Sequence, residues 1–206
     1  VLMFMRLQTQ WNVIAGAFIG LNYQSAAFLF KIHSVANEAE MMDDLLRLDT
    51  LRNQLSMSTN NTMELSVLKE YHACLLAFQK INFPDETLLR FEWMGAFCND
   101  VQVHSSLSGE RAAVLWNSAA LESHAAAASV ADNFADKRAL SKAVKHWQSA
   151  ASLIHHLVNT LAESSAGNTL LGMDMLPAML LFWENVFAAQ GQMCGYYMAA
   201  AGGKPK

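Results

Sequence analysis

Apolar positions dominate the stretch from Ser108 to Val130, SGERAAVLWNSAALESHAAAASV. It lacks Pro, has no Gly after Gly109 and is dense in Ala and Leu, so its helix propensity is high. Ser108 suits an N-cap, and Glu110 then falls in the first turn, where a carboxylate complements the helix dipole. Polar residues keep to one stripe: Glu110, Asn117 and His124 recur every seven residues, with Arg111, Ser118 and Glu122 beside them. Ala112, Val114, Leu115, Trp116, Ala119, Ala120, Leu121 and Ala125 to Ala128 fill the remaining girth. A helix apolar on most sides must be covered on several. The pattern therefore predicts a central helix on which others pack.

Two more helices are expected after it. From Asp136 to Glu163, apolar residues fall at Leu140, Val144, Trp147, Ala151, Ile154, Val158 and Leu161, alternately four and three apart. That spacing is a packing seam between helices. From Asp174 to about Ala201 the chain is apolar nearly all round, with Asp174 as the expected cap and Pro177 in the first turn. Such a helix needs covering on more than one face, by further chain or by a ligand. Trp116, Trp147 and Trp183 are the expected buried aromatics.

The first hundred residues read differently. Residues 1–9 alternate weakly, and residues 87–93, TLLRFEW, alternate cleanly, with Leu89, Phe91 and Trp93 on one face. Both read as strands, and pairing them gives each a partner. Residues 11–32 carry no charge before Lys31 and are long enough to cross a bilayer. Asn12, Asn22, Gln24 and Ser25 interrupt them, so a buried helical hairpin is preferred over a membrane span. Residues 35–56 form an amphipathic helix, with Met42, Leu45, Leu46, Leu48 and Leu55 among charges. The next helix presents Leu68, Tyr71, Leu75 and Phe78 on one stripe and stops near Pro84.

Composition narrows the class. The chain has 206 residues, 53% hydrophobic and 16% charged, so a large buried core is expected rather than disorder. A net charge of -4 gives no global attraction to nucleic acid. Cys74, Cys98 and Cys194 lack metal-ligand or redox spacing and read as free thiols of a reducing compartment. Neither a nucleophile elbow, a phosphate-binding glycine loop nor a zincin helix occurs. His155 and His156 are adjacent, so on a helix they diverge and cannot chelate together. His124 and His146 lie on different helices and read as hydrogen-bonded structural groups. The expectation is a protein without catalysis, cofactor, metal, small-molecule substrate or nucleic-acid partner. Lys137, Arg138, Lys142 and Lys145 form a basic patch, read either as a solvated face or as a contact for an acidic partner or an anionic membrane.

Several blocks resemble one family. Glu110, Arg111, Val114, Leu115, Trp116, Asn117, Ala120, Leu121 and Ser123 match the signature helix of the Bro-one (BRO) domain, the scaffold of Alix- and rhophilin-type proteins. LLRFEWMGAF is similar to the family's strand, through Phe91, Trp93 and Phe97. LDTLRNQL resembles its second helix, and KAVKHWQSAAS its Lys-His-aromatic-Gln helix. DMLPAML with AAQGQMCGYYMAA resembles its Ala-Gln-Ala-Gln helix. The resemblance covers about residues 40–200. It implies a mainly α fold, with stacked antiparallel helices in a tetratricopeptide-like solenoid and a small N-terminal β-sheet. The chain reads as a single domain, residues 1–206, corresponding to the family domain's N-terminal half. Strands and first helices would occupy residues 1–100, and stacked helices residues 101–206.

The implied function is a non-catalytic scaffold that binds the C-terminal amphipathic helix of an ESCRT-III filament subunit. The implied location is the cytoplasm, with recruitment to endosomes. By the same resemblance the binding groove would be lined by Ser141, Lys145, Gln192, Gly195, Tyr196 and Ala199. The family carries an aromatic anchor where this chain has Gly195, with Tyr196 next to it. Two alternatives remain at this point: a signalling adaptor of the rhophilin or pH-response kind, and a membrane-inserted helical protein using residues 11–32.

Overall fold

A computed structural model of the chain describes residues 38–57, 65–80, 91–94, 101–104, 106–131, 134, 136–163 and 172–200. They form helix α1 (Glu38–Met57), helix α2 (Leu65–Lys80), strands β1 (Phe91–Met94) and β2 (Val101–His104), and helices α3 (Leu107–Val130), α4 (Lys137–Glu163) and α5 (Pro177–Ala200). A 3-10 turn, Met173–Met175, precedes α5. The described residues are mostly helical, and each helix packs on the next in sequence. The tightest pairings are α3 on α4 and α4 on α5, so α4 is covered from two sides. The residues proposed for a membrane span, 11–32, lie outside the described residues. Among the described residues no helix is long and apolar enough to cross a membrane.

The strand expected at residues 87–93 is described from Phe91, where β1 pairs antiparallel with β2. Phe91 lies opposite His104 and Trp93 opposite Gln102. Phe91 and Trp93 are buried, as the alternation requires, while Val103, opposite Glu92, is half in solvent. The expected pairing with residues 1–9 falls outside the described residues. The β2 partner was not legible because VQVH offers only a short, weak alternation.

Helix α3 starts one residue before the expected cap. The N-cap is Ser106, whose Oγ accepts from the Gly109 N–H at 3.0 Å, and Ser108 sits inside the helix. At α4, for which no cap was named from sequence, an Asp136 carboxylate oxygen accepts from the Arg138 N–H at 2.8 Å. At α5 the expected cap does not hold. Asp174 is buried in the 3-10 turn, and the Leu176 carbonyl accepts the first α5 bonds, from Met179 and Leu180. Pro177 opens α5 proper, where its missing N–H costs nothing.

The residues buried on α4 are Leu140, Ala143, Trp147, Ala150, Ile154, Leu157 and Thr160. The rest of the predicted seam, Val144, Ala151, Val158 and Leu161, is half-buried against the same core. The seam is wider than one stripe because two neighbours cover α4. On α1 the buried set is Leu48, Leu51, Arg52 and Leu55, and Leu46, read from sequence as apolar lining, faces solvent. On α2 the stripe Leu68, Tyr71, Leu75 and Phe78 is buried as expected. Trp116 and Trp147 are buried, whereas Trp183 is only partly so.

The polar stripe of α3 is buried as well, apart from half-buried His124, and each of its charges meets a partner from another element. Glu110 is fully enclosed. Its carboxylate accepts from Tyr71 Oη of α2 at 2.9 Å and from Trp93 Nε1 of β1 at 2.6 Å, and it pairs with the Arg52 guanidinium of α1. Arg52 also donates to the Glu92 carbonyl at 3.2 Å and lies 4.4 Å from the centre of the Trp93 ring. Burial lowers the Arg52 pKa and raises that of the Tyr71 hydroxyl, the latter opposed by Arg52. The next residue, Arg111, bonds Gln79 of α2. Further along, Glu122 meets His146 Nδ1 of α4 at 2.6 Å and lies 3.9 Å from Lys69 Nζ of α2. His146, read from sequence as a hydrogen-bonded structural group, spends its Nδ1 on that carboxylate.

Two outcomes follow from these contacts. Removing one partner of a buried ion pair strands the other charge, at a cost of about 3–5 kcal/mol. Arg52→Met is therefore expected to lower the urea midpoint sharply, and Arg52→Met combined with Glu110→Leu to cost less than Arg52→Met alone. A single variant within about 0.5 kcal/mol of wild type contradicts this assignment.

His72 gives the second. Burial, with Arg111 and His156 nearby, pushes its pKa down to about 4, and its ring stands edge-on to that of His156 at 6.2 Å. The folded state thus holds this ring neutral while the unfolded chain protonates it near the ordinary value of about 6.5. Its contribution to stability is intact above that value and is lost as pH falls from about 6.5 toward 4. His72→Gln should flatten that part of a plot of unfolding free energy against pH. An unchanged slope contradicts the assignment.

Candidate functional site

The pairing of α4 with α5 positions the residues singled out from sequence. The helices run antiparallel: His155 Nδ1 meets Glu184 Oε1 at 3.1 Å, Trp147 lies against Phe187 at 5.7 Å, and Phe134, just before α4, meets Tyr197 at 6.0 Å. Residue numbers rise along one helix as they fall along the other. Ser141 and Lys145 therefore stand at the level of Gln192 to Ala199. The aromatic core of this interface continues from Phe187 to Trp183, at 5.9 Å.

Helical periodicity then says which residues share a side. On α5, Glu184, Ala188, Gly195 and Ala199 fall on one side, with Gln192 next to them. On α4, His155, Gln148, Ser141 and Lys137 fall on one side, with Lys145 next to them. The His155–Glu184 contact marks these sides as the two banks of one edge of the interface. Ser141 and Gly195 are half-buried on it, and Lys145, Gln192 and Ala199 are exposed. Gln148 and Ala188, which sequence reading did not name, lie on the same banks and are exposed. Tyr196 stands about 100° round α5 from Gly195, on the outer rim, 71% exposed.

The basic patch is less compact than its sequence suggests. Lys137, Arg138, Lys142 and Lys145 are all exposed. Lys137 shares the bank with Ser141, but Arg138 and Lys142 are rotated about 100° and 140° from it.

The two glycines of α5 differ in what surrounds them. A Cβ at Gly191 would stand 3.3 Å from Trp147 Cβ, so this glycine lets α5 close on the largest buried side chain of α4. A Cβ at Gly195 would meet nothing within 4 Å. Cys194 beside it is a buried free thiol whose pKa burial raises, with Trp147 acting against that rise. Cys74 is also free and raised by burial. Both are poor nucleophiles for that reason. His155 and His156 diverge as expected, the first to Glu184 and the second toward His72.

The described helices stack in sequence order, and the α4–α5 contact has a polar, partly open edge. The match to the BRO1-like domain spans residues 25–206, and the chain belongs to that family. Its fold is similar to a chain of the ALIX BRO1 CHMP4C complex, with a TM-score of 0.75 and 20% identity, covering 91% of this chain and 55% of that one. It is also similar to ALIX in the crystal structure of ALIX in complex with the SIVmac239 PYKEVTEDL late domain, with a TM-score of 0.73 and 22% identity, covering 91% of this chain and 28% of that one. At these identities the likeness is one of fold. The chain spans about half the length of the first and just over a quarter of the second. None of the curated proteins matches.

The two glycines give a direct check on the packing. Ala in place of an interior helical Gly stabilises by roughly 0.5–1 kcal/mol where there is room. Gly195→Ala should raise the thermal midpoint, and Gly191→Ala should leave it level or lower it, since Trp147 must yield. The opposite order contradicts the α4–α5 register.

Proposed function

We propose that this chain is a non-catalytic scaffold that binds an acidic amphipathic helix along the α4–α5 edge, the helix being the C-terminal segment of an ESCRT-III subunit such as CHMP4C. The observation that carries the reading is the pair of banks itself: Ser141 and Lys145 on α4 stand level with Gln192, Gly195 and Ala199 on α5, with Tyr196 exposed at the rim. Membership of the BRO1-like family and the fold shared with the ALIX BRO1 domain of the CHMP4C complex support it. Helix-in-groove recognition needs apolar surface for the anchors and charge at the flanks. Tyr196 and the alanines supply the first, and Lys137 and Lys145 the second. Recruitment to endosomes in the cytoplasm belongs to the same proposal, with contact between the basic residues and an anionic membrane as an accessory.

Titration of a labelled CHMP4C C-terminal peptide tests it. Exposed charge pairs are worth roughly 0–1 kcal/mol, and apolar anchors about 2 kcal/mol or more. Tyr196→Asp should weaken binding tenfold or more, and Lys145→Ala a few-fold. Equal affinity of wild type and Tyr196→Asp contradicts the proposed face.

A further inference from the structure

The flank of α4 turned away from the α5 edge carries a second group of polar residues. His155 meets Glu184 of α5, while His156, about 100° round the helix, turns to His72 of α2. The two imidazoles stand edge-on with their centres 6.2 Å apart. His72 is half-buried and His156 exposed, so the pair runs from the interior to the surface. His72 Nε2 is buried and meets no hydrogen-bond partner among the described residues. A buried polar atom in that state is costly and calls for a partner. The charges that act on this ring are both positive, Arg111 of α3 first and then His156. Arg111 is itself nearly enclosed, and its guanidinium bonds the neutral side-chain oxygen of Gln79 on α2. The nearby carboxylates have other duties. Glu70 pairs with Arg47 of α1, and Glu110 accepts from Tyr71 and Trp93 and pairs with Arg52. Glu122, with Lys69 and His146, lies about three turns along α3 from Arg111.

We propose that His72, Arg111 and His156, one from each of α2, α3 and α4, form a binding site for a phosphate group. The sign of the charges selects an anion. A metal ion could use the same two imidazoles, but Arg111 repels it, and no third metal-ligand residue joins them among the described residues. The number of charges selects a dianion. The guanidinium supplies one positive charge, and a proton taken up by His72 when the anion arrives supplies the second. Protonation also turns both ring nitrogens of His72 into donors, which gives the buried Nε2 its partner. Arg111 and His72 lie too deep for a bilayer surface to reach, so the ligand is free phosphate or a small phosphate monoester. Bound there, it ties α2 to α4 across α3. The site is separate from the α4–α5 edge and does not depend on the docking face.

The probes are inorganic phosphate and sulfate, added to the whole chain; sulfate keeps its charge as pH is varied. Proton NMR follows the imidazole Cε1–H signals. Without anion, His72 titrates at about 4. Millimolar sulfate should move that midpoint upward by a full pH unit or more, shift the His156 signal, and raise the thermal midpoint by a few degrees. Because the bound state holds the proton more tightly, sulfate affinity should rise as pH falls below neutrality. His156→Gln, a change at an exposed position, should weaken sulfate at least threefold, and Arg111→Gln tenfold or more, with thermal melts to confirm folding. His72 and His156 signals unmoved by sulfate in the folded wild type overturn the site. So does undiminished sulfate binding by the folded His156→Gln variant. Acetate bound as tightly as sulfate overturns the choice of a dianion. Binding to vesicles of phosphatidylcholine with phosphatidylinositol phosphate, but not to free phosphate, overturns the recessed site in favour of a membrane contact.

Discussion

The carboxylate of Glu110 holds the first half of the described structure together. It lies at the start of α3, where the helix dipole favours a negative charge, yet it is fully enclosed. An enclosed carboxylate is tolerable only when its oxygens are fully used. Here Arg52, Tyr71 and Trp93 use them, and they come from α1, α2 and β1. One side chain thus fixes three other elements relative to α3, through contacts that are directional in a way apolar packing is not. Arg111 with Gln79, and Glu122 with His146, repeat the device further along the same stripe. The opposite sides of α3, lined by alanines and Val114, Leu115 and Trp116, are then free to pack without specifying orientation.

This division explains what could be read from the sequence. The helices at residues 107–130, 137–163 and 177–200 were legible because apolar spacing alone determines them. So was the α2 stripe. The polar stripe of α3 was visible too, but periodicity cannot tell a solvated stripe from a buried network. Glu110 was read as a dipole partner, and nothing local in LDTLRNQL or KEYHACLL marks Arg52 and Tyr71 as its ligands. Their meeting depends on how α1 and α2 lie across α3. The caps at Ser106 and Leu176 were missed by a residue or two for a simpler reason: serine and aspartate near a helix start are each plausible, and hydrogen bonding chooses among them.

The second half follows a different rule. Between α4 and α5 the specificity is steric, with Trp147 set against Gly191 and Phe187. Five of the six groove residues named from family resemblance, Ser141, Lys145, Gln192, Gly195 and Ala199, fall along one edge of that contact, and Tyr196 falls on its rim. The distinction between Gly191 and Gly195 was not accessible from sequence, since both read as small residues in an apolar helix. It depends on which side of α5 faces Trp147. The N-terminal polar network and the C-terminal steric pairing are joined through α3 and α4, which meet at the His146–Glu122 contact.

The central functional claim is the location of the docking face. Amide chemical-shift mapping by NMR, with and without a CHMP4C C-terminal peptide, addresses it without any substitution. The account expects the shifts to concentrate on residues 137–148 of α4 and 188–199 of α5, with α1 and α2 unaffected. Shifts centred on α1, α2 or the β1–β2 hairpin, with α4 and α5 silent, would contradict it.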